Sequence, residues 1–246
     1  MQAPSLILTG YQDSLRRAVD VVAQNVANST TAGFKRKEVL FSTYLAQTAP
    51  RQTWAFGFDA GTLRDTQQGS LLPTGNPLDV AIQGPGYFPI QTPSGVQYTR
   101  HGNFQLSKNG QIVTANGYPL LDEGKQPFSV PSDAEDLTLA ADGTLTARTG
   151  GSTTPSILGK MGVMNFKREQ DLREMGNGLY TTRQTPQPVT DSHLVQGATE
   201  NANVQTVKEI TDLIEMQRAY ETAAHLLEMD HQRQTTAITR LAKSTG

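Results

Sequence analysis

The stretch VVAQNVANSTTAGFKRKEVLF, residues 21–41, joins two kinds of structure. Its first half continues an apolar stripe with helical spacing; its second half replaces the stripe with Asn28, Ser29, Thr30, Thr31 and Gly33, followed by charge. Short polar side chains bond the nearby backbone in place of continued helix, and a glycine can take the left-handed conformation that ends one. Upstream, Leu8, Tyr11, Leu15, Ala18, Val19, Val22 and Val26 step by threes and fours, while Gln12, Asp13, Arg16, Arg17, Asp20 and Gln24 fill the opposite face. That spacing predicts an amphipathic helix of about twenty residues, roughly 30 Å long, which stops at the quoted stretch.

The far end of the chain mirrors this one. Val204 to Leu241 contains no Gly or Pro, and Val207, Ile210, Leu213, Ile214, Met216, Tyr220, Ala223, Ala224, Leu227, Ile238 and Leu241 again recur at threes and fours. The pattern predicts one helix of nearly forty residues, about 55 to 60 Å long. Globular helices average about 11 to 12 residues, so a helix of this length calls for a partner along it.

Between the helices the grammar changes. In PLDVAIQGPGYFPI, Leu78, Val80 and Ile82 alternate with Asp79, Ala81 and Gln83 before a turn at Gly84, Pro85 and Gly86. Asn109-Gly110, Asn116-Gly117 and Asp142-Gly143 each stand beside short β-prone runs, a strong hairpin signal. The expected organisation is an N-terminal helical segment over 1–41, an extended or irregular connector over 42–74, a β domain over 75–190, a return linker over 191–203 and the long helix over 204–246. The class is α+β: long terminal helices forming a coiled-coil or bundle layer, packed together, around a central all-β domain of short strands.

Composition narrows the function. With 246 residues the chain can bury a real core, and its net charge of -2 offers no electrostatic reason to seek nucleic acid or an anionic membrane. The absence of Cys removes disulfides, thiolate nucleophiles and thiolate metal ligands together. No run approaches the roughly 18 apolar residues of a membrane span, and the N-terminus lacks the basic region and apolar core of a cleaved signal. The expectation is a chain without membrane insertion and without a conventional cleaved signal.

A search for chemistry finds none. His101, His193, His225 and His231 form no HxxxH pair. Gly151 to Lys160 lacks the spacing and the Ser or Thr of a phosphate loop, Gly84 and Gly86 form a lone GxG that reads as a turn, and Asp133, Glu135 and Asp136 read as a solvated loop. The Asn28-Ser29-Thr30 sequon is explained by the end of the helix. No catalytic residue, metal or cofactor is expected.

With these zones in place, the terminal motifs resemble those of the bacterial flagellar rod and hook proteins. Ala27, Asn28, Thr31, Gly33, Phe34 and Lys35 match the N-terminal signature; LDVAIQGPGYF (78–88) and YTRHGNFQLSKNGQIVTANGYPL (98–120) are similar to the β-domain signatures. LVQGATENANVQTVKEITDLIEMQRAYE (194–221) resembles the C-terminal motif, with Asn203 and Val204 at the helix start and Gln217, Arg218, Tyr220 and Glu221 further on. Gln24 departs from the Asn that is common there. The length, the one modest β domain and the N-terminal start resemble the proximal-rod members most and the distal-rod members next.

The resemblance implies a structural subunit, exported unfolded by the flagellar type III apparatus and assembled in the periplasm with copies of itself and other rod proteins into a tubular drive shaft. Tyr11, Leu15, Val19, Val22 and Val26, with Val207, Ile210, Leu213, Met216, Tyr220 and Leu227, are then packing residues within or between subunits, and Gly33 and Phe34 govern the exit from the first helix. A secreted binding module, with a β head on a helical stalk, is the reading from a different class.

Overall fold

The computed structural model describes residues 3–49, 52–150, 154–189 and 192–244, with side chains over 8–42, 61–150, 154–189 and 192–240. It divides into two compact units, each assembled from separate parts of the chain: residues up to 27, 37–65 and 204 onward form one, and 28–36 with 66–203 the other.

The first unit holds two helices and a hairpin. Helix α1 spans Ala3–Ala27 and helix α2 spans Thr206–Ser244, so the one long C-terminal helix expected from its unbroken periodicity is present. Strands β1 (Lys37–Ala49) and β2 (Gln52–Arg64) pair antiparallel from Lys37 opposite Arg64 to Ala49 opposite Gln52. Helix α1 packs against α2 and against both strands.

That hairpin puts paired strands where an extended or irregular connector over 42–74 is expected, and takes in Lys37–Phe41 at the end of the 1–41 segment, beyond the stop of the helix. Glu38-Val39-Leu40-Phe41-Ser42-Thr43 and the aromatic-rich Thr53 to Phe58 are β-prone, but their alternation is too weak to read alone. Only the cross-strand pairing makes them strands.

Among its described residues, the second unit has strands, turns and one turn of 3₁₀ helix at Glu169–Asp171. Its strands are β3 (Leu71–Pro73), β4 (Val80–Gln83), β5 (Phe88–Thr92), β6 (Gly95–Thr99), β7 (Phe104–Leu106), β8 (Ile112–Thr114), β9 (Ala134–Leu139), β10 (Thr144–Thr149), β11 (Ser156–Lys160), β12 (Met164–Asn165), β13 (Arg173–Gly176), β14 (Leu179–Thr181), β15 (Gln187–Pro188), β16 (His193–Gln196) and β17 (Ala198–Glu200). They form a four-stranded sheet ordered β13-β14-β6-β5, a three-stranded sheet β11-β10-β9, and smaller pairs, all antiparallel.

The expected return linker over 191–203 is therefore largely strand: β16 pairs with β4 and β17 with β3, which extends the β unit on both sides of 75–190. The expected alternation in β4 also fails. Val80, Ala81 and Ile82 are all buried, because this strand is covered on both faces. The three hairpin dipeptides do lie at turns, with Gly110, Gly117 and Gly143 at φ 74, 80 and 92°.

The core gathers Val80, Ile82, Phe88, Ile90, Phe104, Ile112, Leu120 and Leu145, with Phe88 and Phe104 edge-to-face at 5.2 Å. A second cluster surrounds Tyr87, Tyr98, Phe166 and Tyr180.

Candidate functional site

The turn after α1 is where the β unit takes hold of the N-terminal motif. Thr31 N–H donates to Asn28 O at 3.0 Å and Phe34 N–H to Thr31 O at 3.2 Å. These turns bring Gly33 to φ +65°, where its N–H reaches Glu200 O at 2.7 Å. A Cβ at Gly33 would fall 2.8 Å from the backbone of Arg100, so the motif glycine is needed for conformation and for close approach alike. Phe34 is buried and its carbonyl accepts from Asn203 N–H at 3.3 Å, while Asn203 Oδ1 accepts from Arg36 N–H at 2.6 Å.

Lys35 extends this turn into a buried ion network. Its Nζ donates to Glu200 Oε1 at 2.8 Å and to Gln67 O at 2.7 Å. The other Glu200 oxygen accepts from Arg100 Nε at 2.6 Å, and Gly69 N–H donates to Oε1 at 3.1 Å. Arg100 also donates to the carbonyls of Gly84 at 2.7 Å, of Ile82 at 3.2 Å and of Gly86. Lys35 and Glu200 side chains are only 3% and 1% exposed. Burial pushes the Lys35 ammonium below its ordinary pKa, and the Glu200 carboxylate pushes it back.

The network clips residues 33–36 to the rest of the β unit through groups that would be costly to bury singly.

In the helical unit, the α2 positions Glu209, Leu213, Met216, Tyr220, Ala223, Leu227, Asp230 and Gln234 alternate steps of four and three, and each is buried or half-buried. On α1, Leu15, Ala18, Val22 and Asn25 are buried and Val19 and Val26 half-buried, whereas Tyr11 is exposed. Val207, Ile210, Ile214, Leu226, Met229 and Ile238 of α2 are exposed as well, Val207 at 81%. At 100° per residue, Val207, Ile210, Ile214 and Met229 face away from the seam, so α2 is apolar on two sides.

Thus Leu15, Val19, Val22, Val26, Leu213, Met216, Tyr220 and Leu227 lie along covered faces, and Tyr11, Val207 and Ile210 do not. Of the motif residues, Gly33, Phe34, Lys35 and Asn203 meet in one network, with Asn28 and Thr31 shaping the turn before it. Ala27, Gln217, Arg218 and Glu221 are exposed, and Val204 is half-buried.

Periodicity and motif reading missed Arg100, Glu200, Asn25 and Glu209 as a working set. Arg100 and Glu200 are 100 residues apart, and no local pattern joins them. Among the described residues, no group of three or more His, Asp or Glu is placed to hold a metal ion, and no helix is long and apolar enough to cross a membrane.

Two family models match this chain: "Flagellar hook protein FlgE/F/G D1 domain" over residues 81–147 and "Flagellar basal body rod FlgEFG protein C-terminal" over residues 195–240. The first lies within the β unit and the second runs from β16 along α2. The chain is 36% identical to the flagellar basal-body rod protein FlgF of Caulobacter vibrioides, over 94% of this chain and 95% of that one. It is 34% identical to the FlgF of Mesorhizobium japonicum over 100% of both chains, and 37% identical to the rod protein FlgG of Caulobacter vibrioides over 82% of this chain and 86% of that one. Likeness of this extent, running through both helices, the motif turn and the β unit, shows that the chain belongs to the flagellar basal-body rod protein family.

Proposed function

We propose that this protein is a FlgF-type subunit of the proximal rod, polymerising with copies of itself and with other rod proteins into the tubular shaft that carries torque from motor to hook. The observation that carries this reading is the end-to-end match to FlgF proteins, over 92 to 100% of the chain, where FlgG proteins match over 82 to 90%. The physical support is α2, with one face toward α1 and large apolar side chains on the other. Fully burying a Val, Ile or Met side chain is worth about 1.5 to 3 kcal/mol, so a neighbouring subunit on that face gains substantially.

A head-to-tail contact repeated through a rotation that does not close builds a helical tube. In this reading α1 and α2 supply its coiled-coil layer, and the clip at Lys35 and Glu200 holds the motif turn against the β unit. Export through the type III apparatus without a cleaved signal and residence in the periplasmic basal body belong to the same proposal.

The test is deletion of the gene followed by electron microscopy of purified basal bodies. Truncated rods without hooks, and motility restored by this gene but not by extra copies of a distal rod gene, are expected. Complete rods in the deletion strain would overturn the reading.

A further inference from the structure

Asn25 occupies an unusual place for a polar residue. It is fully buried in the last turns of α1, where the helical spacing asks for an apolar side chain. Its side chain addresses two other segments at once. Oδ1 accepts from Lys37 N–H at 3.0 Å, and Nδ2 donates to Lys37 O at 2.8 Å and to Glu209 Oε2 at 2.9 Å. Lys37 is the first residue of β1, and Glu209 lies in the first turn of α2. Glu209 is itself fully buried and is the first seat of the four-three seam.

The rest of the seam specifies position weakly. Between Leu15, Ala18 and Val22 on α1 and Leu213, Ala223 and Leu227 on α2 the pattern remains largely apolar when one helix slides along the other by a heptad; the buried hydroxyl of Ser14 is satisfied within α1 by Gly10 O at 2.9 Å, and Met216 and Tyr220 are only half-buried. At its far end Asp230 and Gln234 are bonded to each other at 2.7 Å, within α2. A buried polar layer is the feature that tells one register from another, because a slip leaves a carboxylate or an amide against apolar side chains.

We infer that Asn25 and Glu209 form a register lock: a polar layer that selects one alignment of α1, β1 and α2 and rejects alignments displaced by a heptad. Asn25 is thus a positioning residue, reading the Lys37 backbone with both ends of its amide while holding the α2 carboxylate. The inference concerns the single chain and stands or falls apart from the rod assignment.

The test uses the full chain with spin labels on cysteines introduced at exposed Ala23 and Thr222, which is clean because the natural sequence has no Cys. The unaltered seam is expected to give one narrow inter-label distance. Replacing both lock residues, Asn25→Leu with Glu209→Leu, is expected to keep the helical circular dichroism while adding a population displaced by about 10 Å, the length of one heptad. A single narrow peak at the original distance would overturn the inference. If the double variant loses its helices, Asn25→Ala and Glu209→Gln decide instead. Broadening in the first and not in the second, which keeps an amide acceptor for Asn25, is expected; equally narrow peaks in both would overturn it.

Discussion

Glu200 holds its carboxylate between Lys35 and Arg100, and the three residues do not have equal roles. Glu200→Gln leaves two buried cations facing a neutral amide, a cost of about 3 to 5 kcal/mol. Lys35→Met leaves Glu200 paired with Arg100 and with Gly69 N–H, so its cost is about 1 to 3 kcal/mol. Urea denaturation followed by near-ultraviolet signals of the β unit measures both, and equal costs would show that Arg100 does not carry the pair. Gly33→Ala combines a left-handed backbone with a 2.8 Å contact to Arg100 and is expected to lose about 2 to 3 kcal/mol in the same experiment. His101 supplies the pH dependence at this scale. Burial holds its imidazole below the ordinary value of 6.5, against the opposing pull of Glu174. The unfolded chain therefore takes up a proton near pH 6.5 that the folded chain refuses, so stability declines as pH falls from about 6.5 to the lower folded value. His101→Gln is expected to flatten the change in urea midpoint between pH 7 and pH 5; an unchanged slope would remove His101 from the account.

At the scale of elements, the two sides of α2 make different demands. Periodicity alone leaves open whether the α2 stripe packs within one chain or between subunits, and so whether the isolated protein feels a charge at Leu227. In the structure Leu227 is half-buried on the covered side of α2. Leu227→Asp is therefore expected to weaken the isolated protein by about 1 to 3 kcal/mol, while Leu227→Met is tolerated. Ile214 is exposed on the other side, so Ile214→Asp is expected to leave the thermal midpoint nearly unchanged while abolishing incorporation into rods and motility. Normal swimming with Ile214→Asp would show that this face meets no neighbour. The same contrast explains what periodicity could reach. A stripe at threes and fours shows that a helix has an apolar face, but a helix with apolar residues on two sides needs a partner in hand before the faces can be told apart.

For the molecule as a whole, the β unit has a core of fully buried large side chains, Phe88, Ile90, Ile112, Leu120 and Leu145 among them, whereas α2 exposes Val207, Ile210, Ile214, Leu226, Met229 and Ile238. Hydrogen exchange on the isolated protein is expected to be slowest around Ile112, Leu120 and Leu145 and faster along α1 and α2, with the helices slowing on incorporation into rods. Equal protection of helices and β core in the isolated chain would mean that assembly adds no cover.

Consecutive residues determined the two helices, the stop at Asn28 to Gly33, the turns at Gly110, Gly117 and Gly143 and the family motifs, because periodicity, capping and turn chemistry act over a few residues of chain. The hairpin at 37–64 and the strands at 193–200 were decided by pairing across the fold, since weakly patterned runs become strands only when a partner accepts their backbone bonds. The same holds for the buried polar residues. Lys35 and Glu200 are 165 residues apart and Asn25 and Glu209 are 184 apart, so nothing local in the sequence pairs them, even where Lys35 stands in a motif. Only the tertiary structure, by removing water from each charge and supplying its partner, makes them a clip and a lock.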